Sequence, residues 1–230
     1  GIRVQMNSAI GPYKGGLRFH PGVCLDVLKF MAFEQTIKNS LTSLPMGGGK
    51  GGADFDPHGR SDGEVMRFCQ AFMMELQKYI RSSWDIPAGD IGVNDREIGY
   101  MFGTYKKLAG DFSAALTGKA ASYGGSLIRP QATGYGLIYF VEEILNAAGK
   151  DLEGQKVLVS GSGTVALYAA HKALKKGARV LSVSDSQGVL VFRDGMSSDQ
   201  WKEIYSLKME QRGRLADAAE MKGAAYHQGK

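Results

Sequence analysis

Apolar residues recur at helical spacing in several stretches of the chain, and glycine-rich breaks separate those stretches. Residues 61–80 carry the clearest pattern. Val65, Phe68, Phe72, Met73, Leu76 and Ile80 share one face of a predicted helix, and Ser61 with Glu64 has the capping-box spacing that opens one. A helix is also predicted over 25–41, where Leu28, Met31 and Ile37 fall at the same period. "REIGYMFGTYKKL" predicts another, with Lys106 and Lys107 suited to its negative C-terminal end. "IRVQMNS" alternates as a strand. Beyond a Gly- and Ser-rich joint at 117–126, "ATGYGLIYFVEEILNAAG" predicts a helix closed by Gly149. "QKVLVSGSGTVALYAAHKALKKGARVLSVSDSQG" then gives strand, tight glycine turn, helix and strand. No internal repeat is visible. The pattern predicts an α/β chain of two domains, 1–125 and 126–230, with the boundary near 125–130.

Composition narrows the class of protein. With 230 residues and 43% hydrophobic content the chain can bury a substantial core. It holds no apolar run long enough to cross a bilayer and no signal-peptide pattern, so no membrane partner is expected. Cys24 and Cys69 make no disulfide framework and have no metal-type spacing, which suits a reducing, cytoplasmic setting and predicts no metal site. The net charge of +5 is scattered along the chain. That fits an acidic small substrate or a phosphorylated cofactor better than a nucleic acid. The missing initial Met and the ending "AAYHQGK" suggest a piece of something longer.

The turn in the second half carries a mechanism. Gly161 and Gly163 of "GSGTVA", with Ala166 at the third small position, follow an apolar strand and open a helix. Such a turn lets backbone approach a pyrophosphate, whose charge rests on the helix N-terminus. Gly161, Ser162, Gly163, Thr164 and Val165 are therefore candidate cofactor contacts. The second strand ends at Asp185, near the spacing of the residue that meets the adenosine ribose. Dinucleotide binding is favoured over an ordinary strand-to-helix turn.

The first half raises a different question. In "PMGGGKGG" Lys50 stands among five glycines. A Walker-type phosphate loop fails, because Leu44 and Gly51 occupy positions that need Gly and Ser or Thr. Glycines would let a ligand approach the main chain and leave the amine unshielded. A flexible surface loop is the plain alternative. Lys14 in "GPYKGGLRFH", Gln35 one helical turn from Lys38, and Asp90 in "PAGDIG" argue for a site of amines and one carboxylate.

Taken in order, "NSAIGPYKGGLRFHP", "FEQTIKNSLTSLPMGGGKGG", "PAGDIG", "GGSLIRPQATGYG" and "VSGSGTVA" resemble the blocks of the glutamate dehydrogenase family, in its hexameric, NADP-preferring microbial branch. The resemblance runs essentially end to end, although that family starts earlier and ends later than 1–230. It implies a partial α/β substrate and dimerisation domain, then the first half of a Rossmann-type dinucleotide-binding domain. It also implies interconversion of L-glutamate with 2-oxoglutarate and ammonium in a homo-hexamer, the segment alone being inactive. On the matched positions Lys50 is the catalytic lysine and Asp90 the second proton-transfer residue. Lys14 holds the distal carboxylate, and Gln35 with Lys38 holds the α-carboxylate. Gly89 contributes backbone, and Arg129 is a further substrate contact. Thr133 and Thr164 meet the nicotinamide half of the cofactor.

Cofactor preference rests on opposed signals. Asp185 favours NAD by repelling a 2′-phosphate. Ser186, Lys208 and Arg214 fall where the NADP-preferring branch binds that phosphate, so NADP(H) is expected over NAD. Several positions depart from the family pattern: Thr164 for asparagine, Gln131 for glutamate, and Asn94 with Asp95 where small residues are usual. Asp95 would add an acid near Asp90. A leucine-, valine- or phenylalanine-type dehydrogenase stays open, though Lys14 would leave its charge unpaired in an apolar pocket. A non-catalytic nucleotide-binding module also stays open.

Overall fold

The computed structural model describes residues 1–113, 115–127 and 129–229, with the side chain of Arg129 outside that description. The chain divides into two compact units, Gly1–Leu127 and Ile128–Lys230. Each contains one four-stranded sheet.

The first unit runs β1 (Ile2–Asn7), β2 (Tyr13–Phe19), α1 (Leu25–Ser40), β3 (Gly48–Ala53), α2 (Asp62–Leu76), β4 (Asp85–Ala88) and α3 (Asp95–Ala109). The sheet order is β1-β3-β2-β4. β2 lies parallel to β3 and β4, while β1 is antiparallel to β3. The glycine cluster is therefore an interior strand, buried at all 6 of its positions. The plain alternative, a flexible surface loop, is not found. The space beside each of the five glycines is filled by the protein itself. Thr36 of α1 stands 1.9 Å from where a Cβ on Gly48 would lie. The Arg3 side chain runs over Gly49 and Gly51, at 3.2 and 3.0 Å from their would-be Cβ atoms, and backbone oxygens close on Gly47 and Gly52 at 2.1 and 2.0 Å.

Arg3 continues from there to the opposite edge of the sheet. Its Nε donates to Asp85 Oδ2 at 3.0 Å, its Nη2 to Asp85 Oδ1, and its Nη1 to the Gly15 carbonyl at 3.0 Å. Gln5 Nε2 also donates to Asp85 Oδ2, at 3.0 Å. Asp85 is fully buried, so this set satisfies a charge that water cannot reach. Leu17 and Phe19 of β2 enter a core with Val65, Met73, Leu76, Ile98 and Met101.

Two helix expectations need correction. α2 opens at Ser61 with its capping box but ends at Leu76. Ile80 is buried from the turn that follows, so apolar periodicity outran the helix. On α1, Leu28 and Met31 are buried whereas Ile37 is 50% exposed, as are neighbouring Phe30 and Phe33 at 61% and 55%. α3 begins at N-cap Asn94, whose N–H donates to Glu97 Oε2 at 2.9 Å.

The second unit runs α4 (Arg129–Ala147), β5 (Lys156–Val159), α5 (Thr164–Lys175), β6 (Arg179–Ser184), β7 (Gly188–Val191), α6 (Ser198–Tyr205) and β8 (Ala225–Gln228). β5 and β6 are parallel and flank α5 in sequence, as expected for a Rossmann-type unit. β7 and β8 extend the sheet antiparallel, in the order β5-β6-β7-β8. Leu167, Val180, Val183, Leu190, Phe192 and Ile204 form its core. α4 closes on α5 at Gly134, where a Cβ would stand 2.6 Å from the Val165 carbonyl oxygen and the Ala169 nitrogen. Among the described residues no helix is long and apolar enough to cross a membrane.

The Arg3–Asp85 clamp yields a stability prediction. Arg3→Met leaves a buried carboxylate without its cation and is expected to cost about 3–5 kcal/mol. Urea unfolding of the intact protein measures it. A loss below about 1 kcal/mol, the scale of an exposed pair, would contradict the clamp's structural role.

Candidate active site

Lys50 is the one long side chain on a strand otherwise made of glycine and alanine, and it is only 7% exposed. Its Nζ lies 3.1 Å from Asp90 Oδ1. The other carboxylate oxygen, Oδ2, accepts from Arg18 Nε at 2.6 Å. Burial pushes the Lys50 pKa below the ordinary lysine value; Asp90 opposes this, and Arg18 and Lys38 add to it. A buried amine beside two other cations loses its proton more readily than a solvated one.

The path of the chain explains how Asp90 reaches this amine. Asp90 follows β4 in a tight loop, where its N–H donates to the Val93 carbonyl at 3.2 Å and its carbonyl accepts from Val93 N–H at 2.9 Å. Phe19 N–H donates to the Ile91 carbonyl at 2.9 Å, tying the loop to β2. Gly16 permits the approach, because a Cβ there would stand 2.6 Å from the Gly89 oxygen and 2.8 Å from Asp90 Cβ. Asn94 and Asp95 just beyond open α3, and the Asp95 Oδ1 accepts from Arg96 N–H at 3.0 Å. The expected influence of Asp95 on Asp90 has no counterpart in these contacts.

The other substrate-type candidates of this unit lie around the same strands. Lys14 is half-buried on β2, and its Nζ donates to Thr117 Oγ1 at 2.7 Å. Gln35 Nε2 donates to Asn39 Oδ1 at 2.8 Å, and Asn39 Nδ2 donates to the carbonyls of Lys14 at 3.1 Å and Gly47 at 2.6 Å. Gln35 thus steadies the buried amide that joins α1 to β2 and to the residue leading into the strand of Lys50. Lys38 is exposed, yet its charge reaches Lys50. Gly89 adjoins Asp90, where a Cβ would meet the Val93 oxygen at 2.5 Å. The side chain of Arg129 lies outside the described residues. Sequence reasoning missed Arg18, Asn39 and Thr117. The alternation of Lys14, Gly16 and Arg18 against core Leu17 and Phe19 was the signal for the first of these.

The glycine turn of the second unit has the form a dinucleotide needs. Gly161 has φ +110°, a conformation side chains disfavour, and its N–H donates to Ser184 Oγ at 3.0 Å. A Cβ on Gly163 would meet nothing within 4 Å, so open space faces the start of α5. Gly163 is the N-cap and no side chain caps the helix, which leaves first-turn amides for an anion. Ser162 is buried and Val165 exposed. The Thr164 hydroxyl is already turned to Met209 Sδ, at 3.5 Å. Thr133 is exposed on α4, one residue before the Gly134 contact with α5. Gln131 buries its Oε1 with no hydrogen-bond partner among the described residues.

Asp185 has a structural task that the sequence did not disclose. Its Oδ1 accepts from the N–H groups of Gln187 at 2.9 Å and Gly188 at 3.2 Å, and its Oδ2 from Leu215 N–H at 3.0 Å. Burial alone would raise its pKa. The backbone donors of Leu215 and Gln187, with the Lys208 ammonium, outweigh that and hold the carboxyl below the usual range. Lys208 sits in a π-helical turn, Ser206–Glu210, and donates to the Gly213 carbonyl at 2.7 Å. Burial lowers its pKa, Asp185 opposes, and Arg214 lowers it further. Lys208, Arg214 and Asp185 are thus electrostatic neighbours. Ser186 is exposed and lines a cavity of about 390 Å³ with Gln187, Ala216, Tyr226, Gln228 and Gly229.

A buried amine on a glycine strand facing a loop carboxylate, and an uncapped glycine turn in a βαβ unit, are the parts of a dinucleotide-linked dehydrogenase. Comparison with known proteins agrees. Residues 1–107 match the family model for the Glu/Leu/Phe/Val dehydrogenase dimerisation domain, and residues 124–230 match that for Glutamate/Leucine/Phenylalanine/Valine dehydrogenase. The chain belongs to the Glu/Leu/Phe/Val dehydrogenase family. It is 59% identical over 226 residues to the NAD(P)-specific glutamate dehydrogenase of Xylanibacter ruminicola, which covers 98% of this chain and 51% of that protein. The NADP-specific glutamate dehydrogenase of Escherichia coli (strain K12) is 56% identical over 227 residues, covering 99% and 51%. The crystal structure of Plasmodium falciparum glutamate dehydrogenase matches with a TM-score of 0.95 at 52% identity, covering 99% of this chain and 49% of that one. The chain spans about half the length of the curated relatives it matches.

The Asp185 contacts predict a pH-dependent contribution to stability. Its folded-state pKa is depressed, so the contribution is present above the unfolded value of about 3.9 and is lost as pH falls through the folded value. Asp185→Asn is expected to cost about 1–3 kcal/mol at pH 7, the range for hydrogen bonds to a charged acceptor. The gap from wild type should narrow as the pH drops below about 4. Urea unfolding across pH checks this, and a gap independent of pH would contradict it.

Proposed function

We propose that the protein carrying this chain interconverts L-glutamate with 2-oxoglutarate and ammonium, using NADP(H) as hydride carrier. The observation that carries the proposal is the buried Lys50 Nζ 3.1 Å from Asp90 Oδ1, with Lys14 on the neighbouring strand. Burial and adjacent cations favour the neutral amine that a general base needs. In the deaminating direction Lys50 takes a proton from the water that attacks the iminium carbon. Asp90 exchanges a proton with the substrate nitrogen. Lys14 holds the distal carboxylate, and Lys38 with Gln35 holds the α-carboxylate, through charge-assisted hydrogen bonds. Gly89 offers backbone beside Asp90, and Arg129 is assigned to the same substrate.

NADP(H), when bound, supplies or accepts the hydride. The open space at Gly163 and the uncapped start of α5 fit its pyrophosphate. Gly161, Ser162, Thr164 and Val165 line that turn, and Thr133 and Thr164 are assigned to the nicotinamide half. The Lys208 ammonium beside the Asp185 carboxylate offsets part of its negative charge, and Ser186, Lys208 and Arg214 favour the 2′-phosphate. Asp185 keeps lone pairs for the ribose. The half-buried Lys14 disfavours the branched-chain and aromatic alternatives, whose side-chain pocket must be apolar. Residues 1–125 then serve as the substrate and dimerisation domain and 126–230 as the nucleotide domain. A cytoplasmic homo-hexamer is the assembly that goes with this assignment.

The test uses the intact protein with 2-oxoglutarate, ammonium and either NADPH or NADH. Wild type should turn over with a preference for NADPH. Lys50→Ala should lose at least about 10²-fold in kcat, the lower end of a general base's contribution, while NADPH still binds. Near-normal reductive amination by Lys50→Ala, or no activity of wild type on 2-oxoglutarate, would overturn the proposal.

A further inference from the structure

We infer that Arg18 is a positioning residue of the active site, fixing the orientation of the Asp90 carboxylate beside Lys50; this rests on the proposed catalytic roles of that pair. The geometry starts from alternation along β2. Leu17 and Phe19 enter the core, so Arg18 between them projects from the opposite face. There its Nε meets Asp90 Oδ2 at 2.6 Å, while Lys50 Nζ meets Oδ1 at 3.1 Å.

A carboxylate has two equivalent oxygens that rotation about its own axis exchanges. The backbone of Asp90 is already pinned, by its hydrogen bonds with Val93 and by the Phe19–Ile91 bond next to Arg18. Rotation of the side chain is the freedom that remains, and two different cations on two oxygens remove it. Arg18 is suited to hold rather than to react, since a guanidinium keeps its proton at any working pH. A lysine at 18 would bring the charge without the planar fork and with a proton it could lose. With Oδ2 committed to Arg18, Oδ1 is the oxygen left to serve the reacting nitrogen.

Arg18 also acts on Lys50 through charge. The charged groups felt by Lys50 are Asp90 from the loop after β4, Arg18 from β2 and Lys38 from α1. Arg18 and Lys38 disfavour its protonated form, and Asp90 favours it. Removing Arg18 deletes one depressing influence and frees Asp90 to pair with Lys50 alone. Both changes raise the pH at which Lys50 becomes neutral. A residue that merely stabilised the sheet would move neither this pH nor the orientation of Asp90.

The experiment compares wild type, Arg18→Met and Arg18→Lys in the intact protein, with two readouts. The first is kcat, KM and the pH profile for 2-oxoglutarate and NADPH. Arg18→Met is expected to lose about 10²-fold in kcat, as a misplaced catalytic group does, with KM for NADPH within about twofold of wild type. The rising limb of kcat/KM for glutamate oxidation should move to higher pH. Arg18→Lys should restore the limb and recover only part of kcat. The second readout needs no turnover: the 13Cε resonance of Lys50, assigned with Lys50→Arg, is titrated and should shift its midpoint upward in Arg18→Met. If wild type fails to turn over 2-oxoglutarate while that midpoint moves, the functional assignment falls and the placement of Arg18 stands. An unmoved midpoint and limb in Arg18→Met would overturn the inference. So would full wild-type kcat in Arg18→Lys, which also decides the matter if Arg18→Met does not fold.

Discussion

Close packing of neighbours onto the backbone of β3 is the constraint on which the first unit depends. A strand with side chains at Gly48, Gly49, Gly51 and Gly52 would push away α1, Arg3 and the backbone of β2 at once. Glycine there costs backbone entropy and weakens the strand's intrinsic preference. The offset comes from what approaches: a helix seated directly on the sheet, and an arginine crossing it to neutralise buried Asp85. Lys50 is the exception on this strand, and its exceptional position defines the site. The same economy of side chains at Gly16 lets the Asp90 loop settle across β2 onto that amine.

The electrostatics follow from this packing. Burial takes Lys50 out of water, and Arg18 and Lys38 add like charge, so its proton is held less firmly than on a surface lysine. One carboxylate, Asp90, bridges Lys50 and Arg18 and keeps the cluster from being three uncompensated cations. In the second unit the logic is reversed. Asp185 is held ionised by backbone N–H groups and by Lys208, and its carboxylate ties together the chain around it. The open, uncapped turn at Gly163 is the complementary feature, a place where the protein supplies donors and no side chain.

Much of this was legible in the sequence, and the failures share a cause. Helices with strong amphipathic patterns, such as α2 from its cap at Ser61 and α3 with Lys106 and Lys107 in its last turn, were legible in kind, as was the β5–turn–α5–β6 unit. Strands β2, β3 and β4 were not read, because alternation needs side chains and "YKGGLRF" and "GGKGGA" have few. The glycines were attributed to ligand approach, and the close packing of the protein's own atoms at their Cβ positions was not read. Ile80 extended an apolar pattern past the end of α2, and Ile37 fitted the period of α1 yet lies exposed, since periodicity cannot tell which of two apolar faces is buried. Lys50 and Asp90 were found as single residues by chemistry and resemblance. Their 3.1 Å separation, and the place of Arg18 beside them, depend on strand pairing between segments far apart in the chain.

The central claim is that missing side chains place the reacting ones, and Gly16→Ala in the intact protein tests it most directly. An added methyl would stand 2.6 Å from the Gly89 oxygen and 2.8 Å from Asp90 Cβ, so the Asp90 loop must lift away from Lys50. With NADPH binding and unfolding measured alongside turnover, the account predicts a loss of about 10²-fold in kcat, the scale of an ångström's misplacement, with cofactor affinity unchanged. Wild-type turnover in a folded Gly16→Ala protein would contradict it.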